Sequence, residues 1–207
     1  MSPRKAAALR GAADDRTLRD HLVTTAQRLL ADQGAATLTV RGIARAAGVA
    51  DGVLYNHFPD KDALLAAAVR AHVDAAHRAL GPLPAPGAAT VERNLRAYLS
   101  AGLALHRAVL PVVAGLLATP AVLTRFTELP TDQPDWRILL ARYLNGEREL
   151  GRIAPDADTA AAAAVLVGIC HDQVLATLLP GMSPHPVDAD AVITTVLTGI
   201  APRTERA

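Results

Sequence analysis

Cysteine is all but missing from this chain of 207 residues: the single thiol, Cys170, cannot close an internal disulfide. A lone cysteine among apolar neighbours reads as a core filler, and a reducing cytoplasm is the expected compartment. Aromatic residues are scarce, six in all, and only Lys5 and Lys61 among the basic residues are lysines. An excess of one charge is missing as well. The formal net charge is +1, and residues 1–75 carry ten Lys/Arg against eight Asp. This balance excludes a general polyanion binder, so any contact with nucleic acid has to come from where the charges are placed. Long apolar runs are missing: Ala108 to Ala118 and Ala160 to Cys170 fall below the roughly 20 residues that span a bilayer. No membrane anchor is expected, and Met1-Ser-Pro-Arg-Lys-Ala-Ala-Ala-Leu9 is too short in its apolar part for a secretory signal. No His/Cys cluster at metal-ligand spacing and no phosphate loop occurs, so no metal, cofactor or catalytic site is expected. The adjacent pair His171-Asp172 is the one arrangement worth weighing for an enzyme. Neighbouring helical residues point about 100° apart and form no relay alone.

What is present is helical periodicity. Apolar residues make up 51% of the chain, and they recur at helical spacing with no alternating runs, which predicts an all-α protein of about nine helices. Thr17 caps a first helix from about 18 to 33, with the stripe Leu18, Leu22, Ala26, Leu29 and Leu30, and Gly34 ends it. Residues 1–16 read as a mobile tail. Two short helices follow, about 39 to 47 and 50 to 57, and Asp60 caps a longer one that reaches about Leu80. Gly81-Pro-Leu-Pro-Ala-Pro-Gly87 breaks the pattern. Beyond it come a helix carrying Val91, Leu95, Tyr98, Leu99 and Leu103, and then a segment kinked or broken at Pro111. After the breaks at Pro120 and Leu129 to Pro134, three more helices follow, the last with Val192, Ile193, Val196, Leu197 and Ile200. The expected division is a tail (1–16), a small head (17–60) and a helical body (61–207).

The stretch from Thr39 to Lys61 is the most specific part of the chain. Thr39 is placed to cap a helix whose Ile43 and Ala44 face inward, and Gly48 suits a sharp turn. Val49, Leu54 and Phe58 fill the angle between the two helices, so the spacing is that of a helix-turn-helix. Tyr55 reads either as a buried structural residue or as a hydroxyl donor to a DNA phosphate. Lys61 puts a cation in the first turn of a helix, against the helix dipole, which an external phosphate would explain.

Thr39-Val-Arg-Gly-Ile-Ala44, Ala47-Gly-Val49, Gly52-Val-Leu-Tyr-Asn-His-Phe58 and Phe58-Pro-Asp-Lys-Asp-Ala-Leu64 resemble the signature of TetR-type bacterial transcriptional regulators. The resemblance covers about residues 17 to 65. It implies that the third helix enters the major groove and that the fourth links it to a ligand-binding, dimerising body. By position it implies phosphate contacts from Thr39, Tyr55, His57 and Lys61, with packing beside Phe58 the alternative for His57, and base-edge contacts from Arg41, Gly52, Val53 and Asn56. Arg41 suits guanine O6 and N7, and Asn56 suits adenine. Two positions depart from the pattern. Ala50 stands where Ser or Thr commonly caps the reading helix, and Val53 where a small hydroxyl residue is common. Asp51 is expected to cap that helix instead, or to accept from a cytosine amino group.

In the body, Ala160, Ala164 and Gly168 repeat every four residues and the last helix has an apolar stripe. Ordinary intrachain packing produces such a pattern, and so does a four-helix interface through the last two helices of two subunits, which the resemblance favours. Tyr98, His106, Trp136, Tyr143 and His171 are candidates for the polar fixtures of an apolar pocket, though each alone suits a structural role. The expectation is a cytoplasmic homodimeric repressor that binds a palindromic double-stranded operator. A small apolar or amphipathic effector releases it. The alternative is an architectural DNA-binding protein without a small-molecule ligand.

Overall fold

A computed structural model describes residues 3–34 and 37–200. These residues form nine α-helices and a short 3-10 turn, with no strand among them. They group into two units. One takes the described residues through Ala75 together with Pro111–Thr131, and the other takes Ala76–Leu110 together with the described residues from Asp132 onward. The expected head, 17–60, lies within the first.

In the first unit, α1 spans Pro3–Gln33, where the sequence reading has a tail to residue 16 and a helix capped by Thr17. Pro3 is harmless at a helix start because its missing N–H would have no partner there. The alanine-rich stretch that follows has high helix propensity and extends the helix past the expected cap. Met1 and Ser2 of the expected tail lie outside the described residues. Leu22, Ala26 and Leu30 of α1 are buried, and α1 packs on α2 (Val40–Ala47), which packs on α3 (Asp51–His57). Thr39 Oγ1 accepts from Gly42 N–H at 3.0 Å, capping α2 as expected. At the other end Gly48 adopts φ +71°, and its N–H reaches back to the carbonyls of Ala44 and Arg45. A Cβ strains this left-handed conformation, which is why the turn takes glycine. Ile43, Ala44, Leu54 and Phe58 are buried as expected. Helix α4 spans Lys61–Ala79, and Asp60 Oδ1 accepts from Ala63 N–H at 2.9 Å.

Helix α5, Val91–Gly115, runs through Pro111 without a break, which excludes the broken form of the two expected there. The proline removes one backbone donor, and a helix of this length tolerates that loss. The chain then tightens into the 3-10 turn Leu116–Ala118, and α6 follows at Pro120–Glu128.

In the second unit, α7 (Trp136–Glu149) and α8 (Thr159–Leu178) are capped by Asp135 and Asp158, and each carboxylate accepts from two first-turn amides. Helix α9 spans Ala189–Ile200. The core joins Leu95 and Leu99 of α5, Leu140 and Leu144 of α7, Leu166 and Cys170 of α8, and Ile193 of α9. Gly102 permits the close approach of α5 and α7: a Cβ there would stand 2.6 Å from Trp136 Nε1. The buried Glu147 accepts from Tyr143 Oη at 2.7 Å and from Gly87 N–H at 3.2 Å, and Arg152 Nη1 meets its second oxygen at 3.0 Å. This network ties the proline-rich loop to α7.

By length and composition Thr159–Leu178 and the stretch Val91–Ala118 are apolar enough to cross a membrane, although uninterrupted runs gave no such signal. Scattered Arg, His and Pro residues break the runs without ending the helices. In α8 the apolar residues Leu166, Val167, Cys170 and Val174 are buried, as in a core helix of a folded body.

Candidate nucleic-acid interface and a cleft of the body

The sequence-derived contact residues collect on α2, α3 and the start of α4. Thr39 is exposed, with its hydroxyl already engaged by Gly42 N–H. The Arg41 side chain is 88% exposed, and its Nε lies 3.4 Å from Asp51 Oδ2. Gly52, Tyr55 and Asn56 are exposed on α3, Tyr55 at 57%, so its ring is not the buried alternative; Val53 is half-buried. Lys61, the first residue of α4, is half-buried.

Two expectations change. Asp51 does not cap α3: the cap position is Ala50, with no side-chain bond, and Asp51 falls in the first turn, where its charge suits the helix dipole and pairs with Arg41. His57 turns inward. Its side chain is 5% exposed and its Nδ1 lies 3.4 Å from Asp15 Oδ1. The next residue, Phe58, is buried under the Arg19 guanidinium, 4.7 Å from the ring centroid. The ring thus packs inward toward α1, while Tyr55 and Asn56 stay exposed.

The sequence reading missed how α6 grips the start of α4. Arg125 Nη1 meets Asp60 Oδ1 at 2.6 Å, and Arg70 donates to the Phe126 carbonyl at 3.1 Å while lying 4.3 Å from its ring centroid. The Ala63 N–H, and after it Arg125, hold the Asp60 carboxyl below its usual range. No local pattern signals partners 65 residues apart.

The second unit contains a cleft of about 170 Å³ whose walls include His106, Trp136, Val167 and His171. His106 is 7% exposed, and its Nδ1 lies 2.6 Å from the Gly102 carbonyl. Burial depresses its pKa below 6.5. The His171 ring meets it edge-on, with centroids 4.7 Å apart. Three of the five pocket candidates thus come together here. Tyr98 and Tyr143 do not line this cleft. Their rings pack 4.6 Å apart, Tyr98 donates to the Pro84 carbonyl, and Tyr143 donates to Glu147. Burial raises the pKa of both phenols. Cys170 is 1% exposed, with its thiol pushed up to about 11 by burial, which suits a core filler. No group of three His, Cys, Asp or Glu side chains able to hold a metal occurs among the described residues.

Residues 22–68, which hold the capped α2, the glycine turn and the exposed face of α3, match the family model described as bacterial regulatory proteins, tetR family. This chain carries a TetR-family head. Solved structures extend the likeness beyond the head. The Flavonoid-responsive Regulator FrrA is 25% identical with a TM-score of 0.64, over 91% of this chain and 99% of that one. The TetR family transcription regulator SCO0332 is 28% identical with a TM-score of 0.56, over 89% and 99%. A TetR-family regulator from Mesorhizobium loti MAFF303099 shares the fold at 16% identity and a TM-score of 0.61, over 90% and 98%. No curated relative matches the sequence at a significant level. The whole chain has the fold of TetR-family transcriptional regulators, with a DNA-binding helix-turn-helix at its N-terminal end.

Proposed function

We propose that this protein is a cytoplasmic transcriptional repressor that binds a palindromic operator as a homodimer and leaves it when a small effector occupies the body. The observation that carries this reading is the TetR-family head, in which α3 exposes Gly52, Tyr55 and Asn56 and α2 exposes Arg41. Asn56 and Arg41 are the base-reading groups, for adenine and guanine respectively, and Gly52 and Val53 are close enough in sequence to share the groove contact, Val53 through a thymine methyl. Tyr55, Lys61 and the Thr39 turn hold phosphates, which fixes register. Val165 and Leu175 of α8 and Leu179 just past its end are exposed apolar side chains, and a second copy covering them alongside α9 makes a two-fold dimer. Such a dimer sets two reading helices about 34 Å apart, one turn of DNA.

The effector site is the cleft at His106 and His171. The flavonoid response in the name of FrrA belongs to that protein; for this chain it supports control by a small organic molecule. A coupling of about 1 to 3 kcal/mol between effector and operator weakens DNA binding roughly 5- to 150-fold.

Selection of bound sequences from random duplex DNA tests the reading and is expected to return a two-fold symmetric site. Lys61→Ala is expected to weaken all duplexes alike and to lower the salt slope by about one. Failure to bind any duplex at modest ionic strength would refute the repressor. The rival reading is an architectural DNA-binding protein without a small-molecule ligand. An effector-dependent shift in melting temperature, together with release from the operator, separates the two.

A further inference from the structure

The cleft of the second unit has the size of one aromatic ring. Its volume is about 170 Å³, close in size to an engineered apolar cavity of about 150 Å³ that takes up benzene, but it opens to solvent along the exposed Ala164, Gly168 and His171. Trp136, Val167, Ala164 and Gly168 supply carbon walls. A Cβ built on Gly168 would meet nothing within 4 Å, so the α8 wall stands open there.

The polar chemistry centres on His106. A carbonyl only accepts, so the 2.6 Å contact with Gly102 places the proton on Nδ1. In the neutral ring Nε2 is then a lone pair. Gly102 is the hydrogen-bond partner of this buried histidine among the described residues. A hydrogen-bond donor is the group from which that lone pair accepts. Asp135 and Arg137, both exposed, also border the cleft, and their opposite signs leave it without a net charge to hold an ion. Asp135 moreover directs its carboxylate to the first amides of α7.

We propose that this cleft binds a neutral single-ring phenol, its ring against Trp136 and Val167 and its hydroxyl donating to His106 Nε2. The proposal deepens the effector reading above and rests on it for its biological meaning, while binding itself is measurable without DNA.

The test is calorimetric titration of the full-length protein with phenol, and with anisole and toluene, which keep the ring and lose the donor. Saturable binding of phenol is expected, with anisole and toluene about ten-fold weaker. His106→Gln, which keeps an acceptor, is expected to retain that preference, and His106→Phe to lose it while still taking toluene. If the phenylalanine variant does not fold by circular dichroism, the wild-type series decides. Equal affinity for phenol and toluene overturns the role of His106, and absence of saturable phenol binding overturns the site. If another compound releases the operator while phenol fails to bind, this inference falls and the repressor stands. Phenol binding that leaves operator affinity unchanged supports the site and counts against phenol as the effector that drives release.

Discussion

Asp51 places a negative charge on the proposed DNA-binding face, where it would repel phosphate. Its contact with Arg41 Nε gives it a use, because the guanidinium then keeps its two terminal nitrogens free for guanine O6 and N7. Asp51→Ala is expected to strengthen binding to random duplex, since a repulsive charge leaves. It is also expected to lower discrimination at one base pair by about 1 kcal/mol or more. Binding titrations on the selected operator and on a scrambled duplex check both effects, and an equal loss on the two duplexes would assign Asp51 to stability alone. His106 carries a pH prediction. Its folded pKa lies below 6.5 because burial disfavours the charged ring. On acidification the unfolded chain therefore takes up the proton first, and stability is complete above about pH 6.5 and declines below it. Denaturant titrations on the two sides of that value should show the decline, and His106→Gln should flatten it. At this scale the sequence reading recovered the exposed Arg41 and Asn56 from their motif positions. An inward His57 was one of two readings of its position, and the carboxylate that meets it, Asp15, left no local trace because it belongs to another helix.

At the scale of elements, caps and turns placed most helix boundaries. Thr39, Asp60 and Asp158 each accept the amide bonds that their positions imply, and these interactions lie within three residues. Helix α3 is the exception, since it begins at Ala50 without a side-chain cap. Ala50→Ser supplies a hydroxyl to the first turn, where Val53 N–H already meets the Ala50 carbonyl at 2.9 Å, and is expected to stabilise the protein by about 0.5 kcal/mol. A rise in the thermal midpoint checks this, and an unchanged or lower midpoint would show that the first-turn amides are already satisfied. The start of α1 was not legible. The reading took Thr17 as a cap, and the alanine-rich stretch before it propagates helix instead. Cap residues mark where a helix is able to begin, and an upstream helix-forming stretch overrides them.

For the whole molecule, the question is what covers α8. Val165, Leu175 and Leu179 leave apolar surface in water, which a second copy would remove. Introducing Val165→Glu together with Leu175→Glu alters exposed positions and is expected to leave the chain folded. Sedimentation should then report a monomer, and operator affinity should fall steeply because the two half-sites are no longer bound together. A dimer that survives both changes would move the interface elsewhere. The small-residue repeat Ala160, Ala164 and Gly168 is exposed on α8, and Ala164 and Gly168 also border the cleft. Spacing along one helix identifies a face, and the identity of what lies against it depends on the rest of the chain.

The amino-acid sequence by itself determined the all-helical architecture and the helix-turn-helix head, because caps, turn glycines and apolar periodicity act over a few residues and leave a local record. Only the tertiary structure decided that His106, Trp136 and His171 share a cleft while Tyr98 and Tyr143 pack elsewhere in the core, and that Arg125 holds the cap of α4. Those groupings join residues from separate helices, and their partners are selected by packing and desolvation across the fold, which no short stretch of sequence encodes.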